Sequence, residues 1–271
     1  MTQHDKKADT RDHGGGIDAA IAQYGGMRRD WIDLSTGINP IPYPLPSFQD
    51  QHWTQLPDRA AFDAFEAAAR EFWRIPDNAA IIPASGASAI IAMLPSVLKG
   101  ATVAIPEPTY NEHRAAYLAH GWAFADIGDV KTIVHPNNPD GHLYSAADLT
   151  AQTCVIDESF CDVCPERSMI SHAIDQGHII IKSFGKFWGL AGMRLGAVIV
   201  PKSLASAFRD RIGPWAVSGP ALYIATRALQ DAQWAIDTRQ RLEQEAQKLD
   251  DVMMNKGVKT LGGTTLFRLY H

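Results

Sequence analysis

The fold of this chain is decided around one lysine, where residues Ser183–Gly196 read SFGKFWGLAGMRLG. The apolar runs Ile179–Ile181 and Leu195–Val200 lie at its two ends, and their length and β-branched residues predict strands that are buried on both faces. Lys186 therefore lies in a glycine-rich and aromatic turn between two strands. Burial there would lower the pKa of its amine and make it a nucleophile that can form an imine. The alternative is a surface loop from which the lysine extends into solvent.

Short apolar runs of the same kind alternate with helical patterns along the rest of the chain. They predict further strands at Ala79–Pro83, Thr102–Ile105, Trp122–Ala125, Thr132–Val134 and Cys154–Ile156. Alternating strands and helices favour an α/β fold with a mostly parallel sheet that is flanked by helices. A helical pattern from Pro220 to about Asn255 and two more apolar runs, Val258–Leu261 and Thr265–Tyr270, predict a small C-terminal α/β domain.

These patterns divide the chain into three predicted parts. Residues 1–40 form an N-terminal arm, residues 41–220 form a large domain, and residues 221–271 contain a connecting long helix and part of a small C-terminal domain. That the arm covers a substrate and that the large domain binds a cofactor is implied by the family resemblance given below.

The composition narrows the class of protein. Of the 271 residues, 46% are hydrophobic and 20% are charged, and the formal net charge is -5. These values are typical of a soluble globular chain, and the negative charge argues against a dedicated nucleic-acid binder. We find no apolar run long enough to span a membrane and no pattern that predicts a metal site. The 3 cysteines are too few for a disulfide scaffold, which favours a cytoplasmic location.

Two polar residues follow predicted strands in the middle of the chain. Asp157 ends an apolar run, at the strand end where open α/β sheets bind their ligands. It could ligate a metal, bind a ribose, pair with a pyridinium nitrogen or cap the next helix. Asn138 lies in the turn Pro136–Gly141, which two prolines and a glycine make rigid, although a plain turn has the same composition.

A further motif is suited to an anion. Gly86, Ala87 and Ser88 lead from a predicted strand into a helix, whose N-terminal N–H groups and serine hydroxyl can bind a phosphate. Arg194 could bind the same anion through two N–H groups, and Tyr110 could stack on a ring. Together with the lysine, acid and amide above, these groups match the needs of pyridoxal 5'-phosphate as cofactor.

The motifs resemble those of the pyridoxal-phosphate enzymes of aspartate-aminotransferase fold, type I, from about Gly14 to Tyr270. Within that superfamily the chain is most similar to the threonine-phosphate decarboxylases of cobalamin biosynthesis. The similarity is carried by HGG at residues 13–15, LSTGINP at 34–40, PNNP at 136–139, DESF at 157–160 and GPWAVS at 213–218. Histidinol-phosphate aminotransferases share several of these motifs.

The resemblance implies a role for each residue. Lys186 would be the catalytic residue and would hold the cofactor as an imine. Asp157 would pair with the ring nitrogen, Asn138 would bond the ring oxygen, and Tyr110 would stack on the ring. The cofactor phosphate is expected at Gly86, Ala87, Ser88, Ser183 and Arg194, and the substrate at His13, Gly14, Asn39 and Asn138.

The resemblance also implies the reaction. It is the decarboxylation of L-threonine O-3-phosphate, a small phosphorylated amino acid, to (R)-1-aminopropan-2-yl phosphate, by a homodimer with shared active sites. Two alternatives stay open, namely an aminotransferase acting on a phosphorylated substrate such as histidinol phosphate, and a paralogue that binds the cofactor without turnover. Relatives continue past residues 265–270 with the arginines that bind the substrate carboxylate, so the small domain is expected to be truncated here.

Overall fold

The computed structural model describes residues 13–271. Contacts divide the chain into an N-terminal unit that ends at Gly37 and a main unit, Ile38–His271. The division into three parts that the sequence suggests stays a prediction. Among residues 13–271, no helix combines the length and the apolar character that crossing a membrane requires.

The described part of the N-terminal unit contains one α-helix, α1 (Ile17–Tyr24), which ends before Gly25 and Gly26, and a 3-10 turn at Arg28–Asp30. Gly15 lies before this helix and Ser35 after it, and the Gly15 N–H donates a hydrogen bond to Ser35 Oγ at 2.7 Å. Gly14 approaches the same residue so closely that any side chain would overlap the Ser35 carbonyl oxygen. A glycine is therefore required at this position.

The main unit is built around a seven-stranded sheet. Its strands are β1 (Ala79–Ala84), β2 (Thr102–Ala104), β3 (Ala123–Phe124), β4 (Val130–Val134), β5 (Thr153–Asp157), β6 (Ile179–Ser183) and β7 (Gly196–Pro201). The α-helices of this unit are α2 (Gln51–Thr54), α3 (Arg59–Phe72), α4 (Ala87–Val97), α5 (Asn111–Ala119), α6 (Ile170–Asp175), α7 (Ala205–Ile212), α8 (Gly219–Gln230) and α9 (Ala232–Met254). A separate antiparallel pair follows, β8 (Thr260–Thr264) and β9 (Phe267–Tyr270).

The strands are ordered β1-β7-β6-β5-β4-β2-β3, and the pairs from β6 to β3 are all parallel. Only β7 runs the other way, antiparallel to β1 and β6. This arrangement confirms the predicted α/β fold with a mostly parallel sheet. The register pairs Val134 with Asp157 and Asp157 with Ile181, so β4, β5 and β6 end at one edge.

The sheet is buried on both faces, as the near-continuous apolar strands predict. Along β6, Ile180 packs in one hydrophobic cluster with α3, α6 and α8 residues, whereas Ile179 and Ile181 pack in a second cluster with α4 and α7 residues. Alternate side chains of a strand point to opposite faces, so each helical layer covers one of them. The central strands are therefore held in place from both sides.

Two helices occupy the region after Pro220 where the sequence pattern predicts one. The break is at Asp231, whose carboxylate accepts a hydrogen bond from the Trp234 N–H at 3.0 Å and caps α9. An aspartate side chain satisfies a helix N-terminus better than it fits a helix interior, so a new helix starts here.

We expect Asp231→Ala to lower the free energy of unfolding by about 1 kcal/mol, because the α9 N-terminus loses its side-chain acceptor. Asp237→Ala is the matched control, since Asp237 is an exposed α9 residue whose carboxylate accepts a hydrogen bond from Gln233 within the same helix. It should change stability by less than about 0.5 kcal/mol. Urea unfolding followed by circular dichroism measures both, and equal losses would contradict a capping role.

Candidate active site

The edge where β4, β5 and β6 end borders a cavity of about 120 Å³. The cavity is lined by all nine residues that the sequence predicts for the cofactor: Gly86, Ala87, Ser88, Tyr110, Asn138, Asp157, Ser183, Lys186 and Arg194. Residues from six separate segments of the chain are thus brought to one place.

Lys186 lies in the turn that follows β6 and is half-buried. Its carbonyl oxygen accepts hydrogen bonds from the Asn39 N–H at 3.0 Å and the Gly189 N–H at 3.1 Å, which fix the backbone of the turn. Its Nζ lies 5.3 Å from the centre of the Phe160 ring. Burial lowers the pKa of the Lys186 amine below its ordinary value, and this effect outweighs the nearby Asp157 carboxylate, which raises it. The amine is therefore neutral over a wider pH range than that of a surface lysine.

Asp157 is buried at the end of β5 and is held by three hydrogen bonds. His113 Nε2 lies 2.9 Å from its Oδ2, while the N–H and hydroxyl of Ser159 donate to its Oδ1 at 2.9 and 2.5 Å. Burial alone would raise the pKa of this carboxyl, but the bonds with His113 and Ser159 lower it below its ordinary value. Asp157 is consequently an anion at neutral pH, which suits it to pair with a protonated ring nitrogen.

Asn138 and Tyr110 are positioned by their neighbour Asn137, which links two loops. The Asn137 amide donates to the Pro108 carbonyl oxygen at 3.0 Å and accepts from Thr109 Oγ1 at 2.6 Å. The loop before α5 and the turn after β4 are thereby joined side by side. Tyr110 directly follows Pro108 and Thr109, and Asn138 directly follows Asn137. The bonds of Asn137 therefore fix the backbone from which both side chains reach the cavity.

One corner of the cavity is suited to an anion. Gly86 precedes α4 with a φ of 90°, in the left-handed region, and a Cβ there would lie 2.6 Å from Arg194 Nη2. Glycine is therefore needed for both the backbone turn and the close approach of the guanidinium. The N-terminal N–H groups of α4 and the Arg194 cation together attract negative charge.

The residues predicted for the substrate are arranged differently. Asn39 does not line the cavity but is buried beside it, where its Nδ2 donates to the Phe187 carbonyl oxygen at 2.9 Å and its Oδ1 accepts from Arg241 Nη2 at 2.8 Å. It thus holds the turn of Lys186 against α9. His13 and Gly14 belong to the N-terminal unit, and their substrate role stays a prediction.

Two sets of residues near the site are not predicted from the sequence. His113 is one of ten histidines, and only the fold shows that it contacts Asp157. A buried charged group formed by Lys182, Glu158 and Asp162 was also missed. The signal for it was a lysine near the end of the apolar strand β6, since an unpaired charge is not found in such a place.

The chemistry of these groups fits pyridoxal phosphate. The aldehyde of the cofactor reacts with an amine, its ring nitrogen pairs with a carboxylate, and its phosphate binds to cationic groups. Lys186, Asp157 and the corner formed by Arg194 and Gly86 supply these three partners in one cavity. Their pKa directions also agree, because an imine requires a neutral amine and a protonated ring nitrogen requires an anionic partner.

Comparisons with known proteins agree with this fold. A threonine-phosphate decarboxylase from Sinorhizobium sp is 39% identical over 277 residues, which cover 95% of this chain and 82% of the relative. One from Pseudomonas aeruginosa is 35% identical with the same coverage. Among solved structures, the L-threonine-O-3-phosphate decarboxylase from Porphyromonas gingivalis matches with a TM-score of 0.67 and 22% identity, over 79% of this chain and 76% of the other.

The family model for aminotransferases of class I and II matches residues 29–128 and 125–271, which together span nearly the whole described chain. The chain belongs to the class I and II aminotransferase family.

Proposed function

We propose that the protein is a pyridoxal-phosphate-dependent carboxy-lyase that converts L-threonine O-3-phosphate to (R)-1-aminopropan-2-yl phosphate and carbon dioxide. The observation that carries this proposal is the cavity that holds Lys186, Asp157, Asn138 and the anion corner in a chain that is 39% identical to a threonine-phosphate decarboxylase. The residues of the cavity would equally suit an aminotransferase. The similarity to threonine-phosphate decarboxylases along 95% of the chain favours the lyase.

Each residue of the cavity has a proposed part in holding the cofactor. Lys186 would hold it covalently through its amine, and the Asp157 carboxylate would accept the N–H of the ring nitrogen. Asn138 bonds the ring oxygen and Tyr110 lies against the ring. Gly86, Ala87, Ser88, Ser183 and Arg194 bind the phosphate. When bound, pyridoxal phosphate supplies an electron sink for the pair left by a bond broken at Cα.

The reaction breaks the bond between Cα and the carboxylate of the substrate. Carbon dioxide leaves without the bonding electron pair, and a proton takes its place at Cα. In its protonated form, the Lys186 side chain would be placed to deliver that proton to Cα. Asp157 stays ionised throughout because His113 and Ser159 bond its oxygens, so it does not compete for the proton.

His13, Gly14, Asn39 and Asn138 are proposed to bind the substrate. Asn39 would contribute indirectly, by fixing the turn that carries Lys186 through its bonds to the Phe187 carbonyl and to Arg241. The proposed product is an amino-alcohol phosphate, and the similarity to threonine-phosphate decarboxylases supports a proposed role in cobalamin biosynthesis, in the cytoplasm. The free thiols of Cys154, Cys161 and Cys164 are consistent with a reducing compartment.

We also propose that the protein is a homodimer. Two cavities, of about 460 and 280 Å³, share Pro57 and Asp58 as lining residues, and the large side chains Leu56 and Trp215 beside them are 65% and 57% exposed. Exposed apolar side chains around a continuous concave surface are typical of a protein interface. A second copy of the chain is its proposed occupant.

The reaction itself is tested with L-threonine O-3-phosphate and added pyridoxal phosphate. The protein should release carbon dioxide and form the amino-alcohol phosphate without a keto acid, whereas Lys186→Ala should lose turnover because no amine holds the cofactor. Lys202→Ala, which changes an exposed lysine, should keep it. Turnover that depends on 2-oxoglutarate would identify an aminotransferase, and cofactor binding without either product would identify a non-catalytic paralogue.

The charges around Lys186 predict the pH at which its amine becomes reactive. In the cofactor-free protein, half-maximal labelling by an amine reagent should occur below about pH 10.4, the ordinary lysine value. Asp157→Asn removes an anion that raises this pKa and should move the midpoint lower, whereas Arg194→Gln removes a cation that lowers it and should move the midpoint higher. Mass spectrometry of the peptide that contains Lys186 gives all three midpoints. A shift of the same sign in both variants would contradict this electrostatic account.

The dimer is tested by sedimentation equilibrium. The wild-type mass should be twice the 29.7 kDa of one chain, and Leu56→Asp with Trp215→Ser should shift the protein towards the monomer, because a charge replaces apolar contact area. Leu261→Asp changes an equally exposed side chain on β8 and should leave the dimer intact. A monomeric wild type would refute the proposal.

A further inference from the structure

Beside the proposed cofactor cavity lies a buried polar group that the reaction does not use. It consists of Asp162, Lys182, Glu158, Trp73 and Trp188, and we call it the Asp162 cluster. All five residues are buried, and Lys182, Glu158 and Trp188 are at most 1% exposed. Such groups are costly to remove from water, so their arrangement calls for a physical reason.

The two carboxylate oxygens of Asp162 are bonded to different parts of the chain. Oδ1 accepts from Lys182 Nζ at 3.2 Å and from Trp73 Nε1 at 3.0 Å, and Oδ2 accepts from Trp188 Nε1 at 2.9 Å. Lys182 also pairs with Glu158 Oε2 at 2.8 Å. The anionic partners raise the pKa of Lys182 above its ordinary value against the effect of burial, so its ammonium stays charged.

Lys182 and Trp188 are the first and last residues of a short segment that contains Lys186. One carboxylate therefore holds both ends of the segment whose middle carries the proposed catalytic amine. Asp162 itself follows Asp157 on the same loop after β5, and Glu158 is the residue next to Asp157. The cluster thus joins the backbone around Lys186 to the backbone around Asp157.

This arrangement is better suited to fixing geometry than to adding stability. A buried ion pair loses most of its Coulombic gain to desolvation, so replacing it by apolar groups is often neutral or stabilising. Hydrogen bonds to a charged acceptor are short and directional, and three of them specify the position of each donor. Displacement of a reacting group by about 1 Å can cost about 100-fold in rate, so the position of Lys186 matters far more to the reaction than to the fold.

We propose that Asp162 is a positioning residue, which sets the location of the Lys186 amine relative to Asp157 by bonding Lys182 and Trp188. This inference rests on the proposed role of Lys186. Asp162 touches neither cofactor nor substrate in this scheme and acts only through the segment that it holds.

Trp188→Phe and Trp73→Phe form a matched pair of variants. Each removes one buried indole N–H donor from the same carboxylate, at nearly the same distance, but only Trp188 lies on the Lys186 segment. We expect Trp188→Phe to lower kcat about tenfold or more, with KM changed by less than about twofold, because the amine is displaced while the substrate contacts remain. Trp73→Phe should keep kcat within about twofold of the wild type.

A purely structural role would give a different result. Both variants would then lose thermal stability to similar extents and show the same kcat, and that outcome would overturn the proposal. Asp162→Leu provides the second test, because it removes both acceptor oxygens while keeping a side chain of similar shape. If Trp188 acts through Asp162, adding Trp188→Phe to Asp162→Leu should lower kcat no further. Fully additive losses would show that Trp188 acts by packing alone.

A measurement on the cofactor-free protein separates this inference from the proposed function. The labelling rate of Lys186 by an amine reagent should change in Trp188→Phe and stay at the wild-type value in Trp73→Phe, and equal rates in all three proteins would overturn the positioning role. If the wild type fails to form a borohydride-reducible imine with pyridoxal phosphate, the proposed function is refuted, and the labelling rates still decide whether Asp162 positions Lys186.

Discussion

The register between parallel strands is the constraint on which the rest of the site depends. Pairing of Val134 with Asp157, and of Asp157 with Ile181, makes β4, β5 and β6 end at one edge of the sheet. Residues that are far apart in sequence then emerge side by side, and the loops beyond these ends carry Asn138 and Lys186. A shift of one residue in either pairing would turn Asp157 to the opposite face of the sheet, because successive side chains alternate. The side chains on the two faces of β5 and β6 pack in separate clusters, so core packing and site geometry depend on the same register.

Burial shifts the pKa values of Lys186 and Asp157 in opposite directions, because it favours the neutral form of each group. For Lys186 the nearby Asp157 carboxylate does not reverse this effect, so the pKa of the amine falls. For Asp157 the hydrogen bonds from His113 and Ser159 outweigh burial, and the pKa of the carboxyl falls as well. The cavity thus combines an amine whose pKa is lowered with a carboxylate that is anionic at neutral pH. The carboxylate stays ionised because His113 and Ser159 form hydrogen bonds with its oxygens.

The sequence could predict most of the fold and the lining of the cavity, because both depend on local patterns. Buried strands show as apolar runs, and Gly86, Asp157 and Lys186 each follow such a run. Contacts between distant segments leave no such pattern. His113 lies on α5 in an ordinary helical sequence, and nothing in the sequence around Asp162 indicates that it binds Lys182 and two tryptophans. The end of α8 was also unpredictable, since Asp231 is compatible with either a helix interior or a cap until the packing of α9 is known.

Asn39 illustrates how a residue can matter to a substrate site without facing it. Its backbone N–H and its side-chain amide bond the carbonyl oxygens of Lys186 and Phe187, and its Oδ1 accepts from Arg241 on α9. The turn of Lys186 is therefore held on one side by Asn39 and on the other by Asp162, and both are themselves tied to α9, since Arg239 donates to the Asp162 carbonyl oxygen at 2.7 Å. Movement of α9 would be transmitted to the Lys186 turn through two separate hydrogen-bonded paths. The position of the Lys186 amine therefore depends on how α9 packs against the sheet.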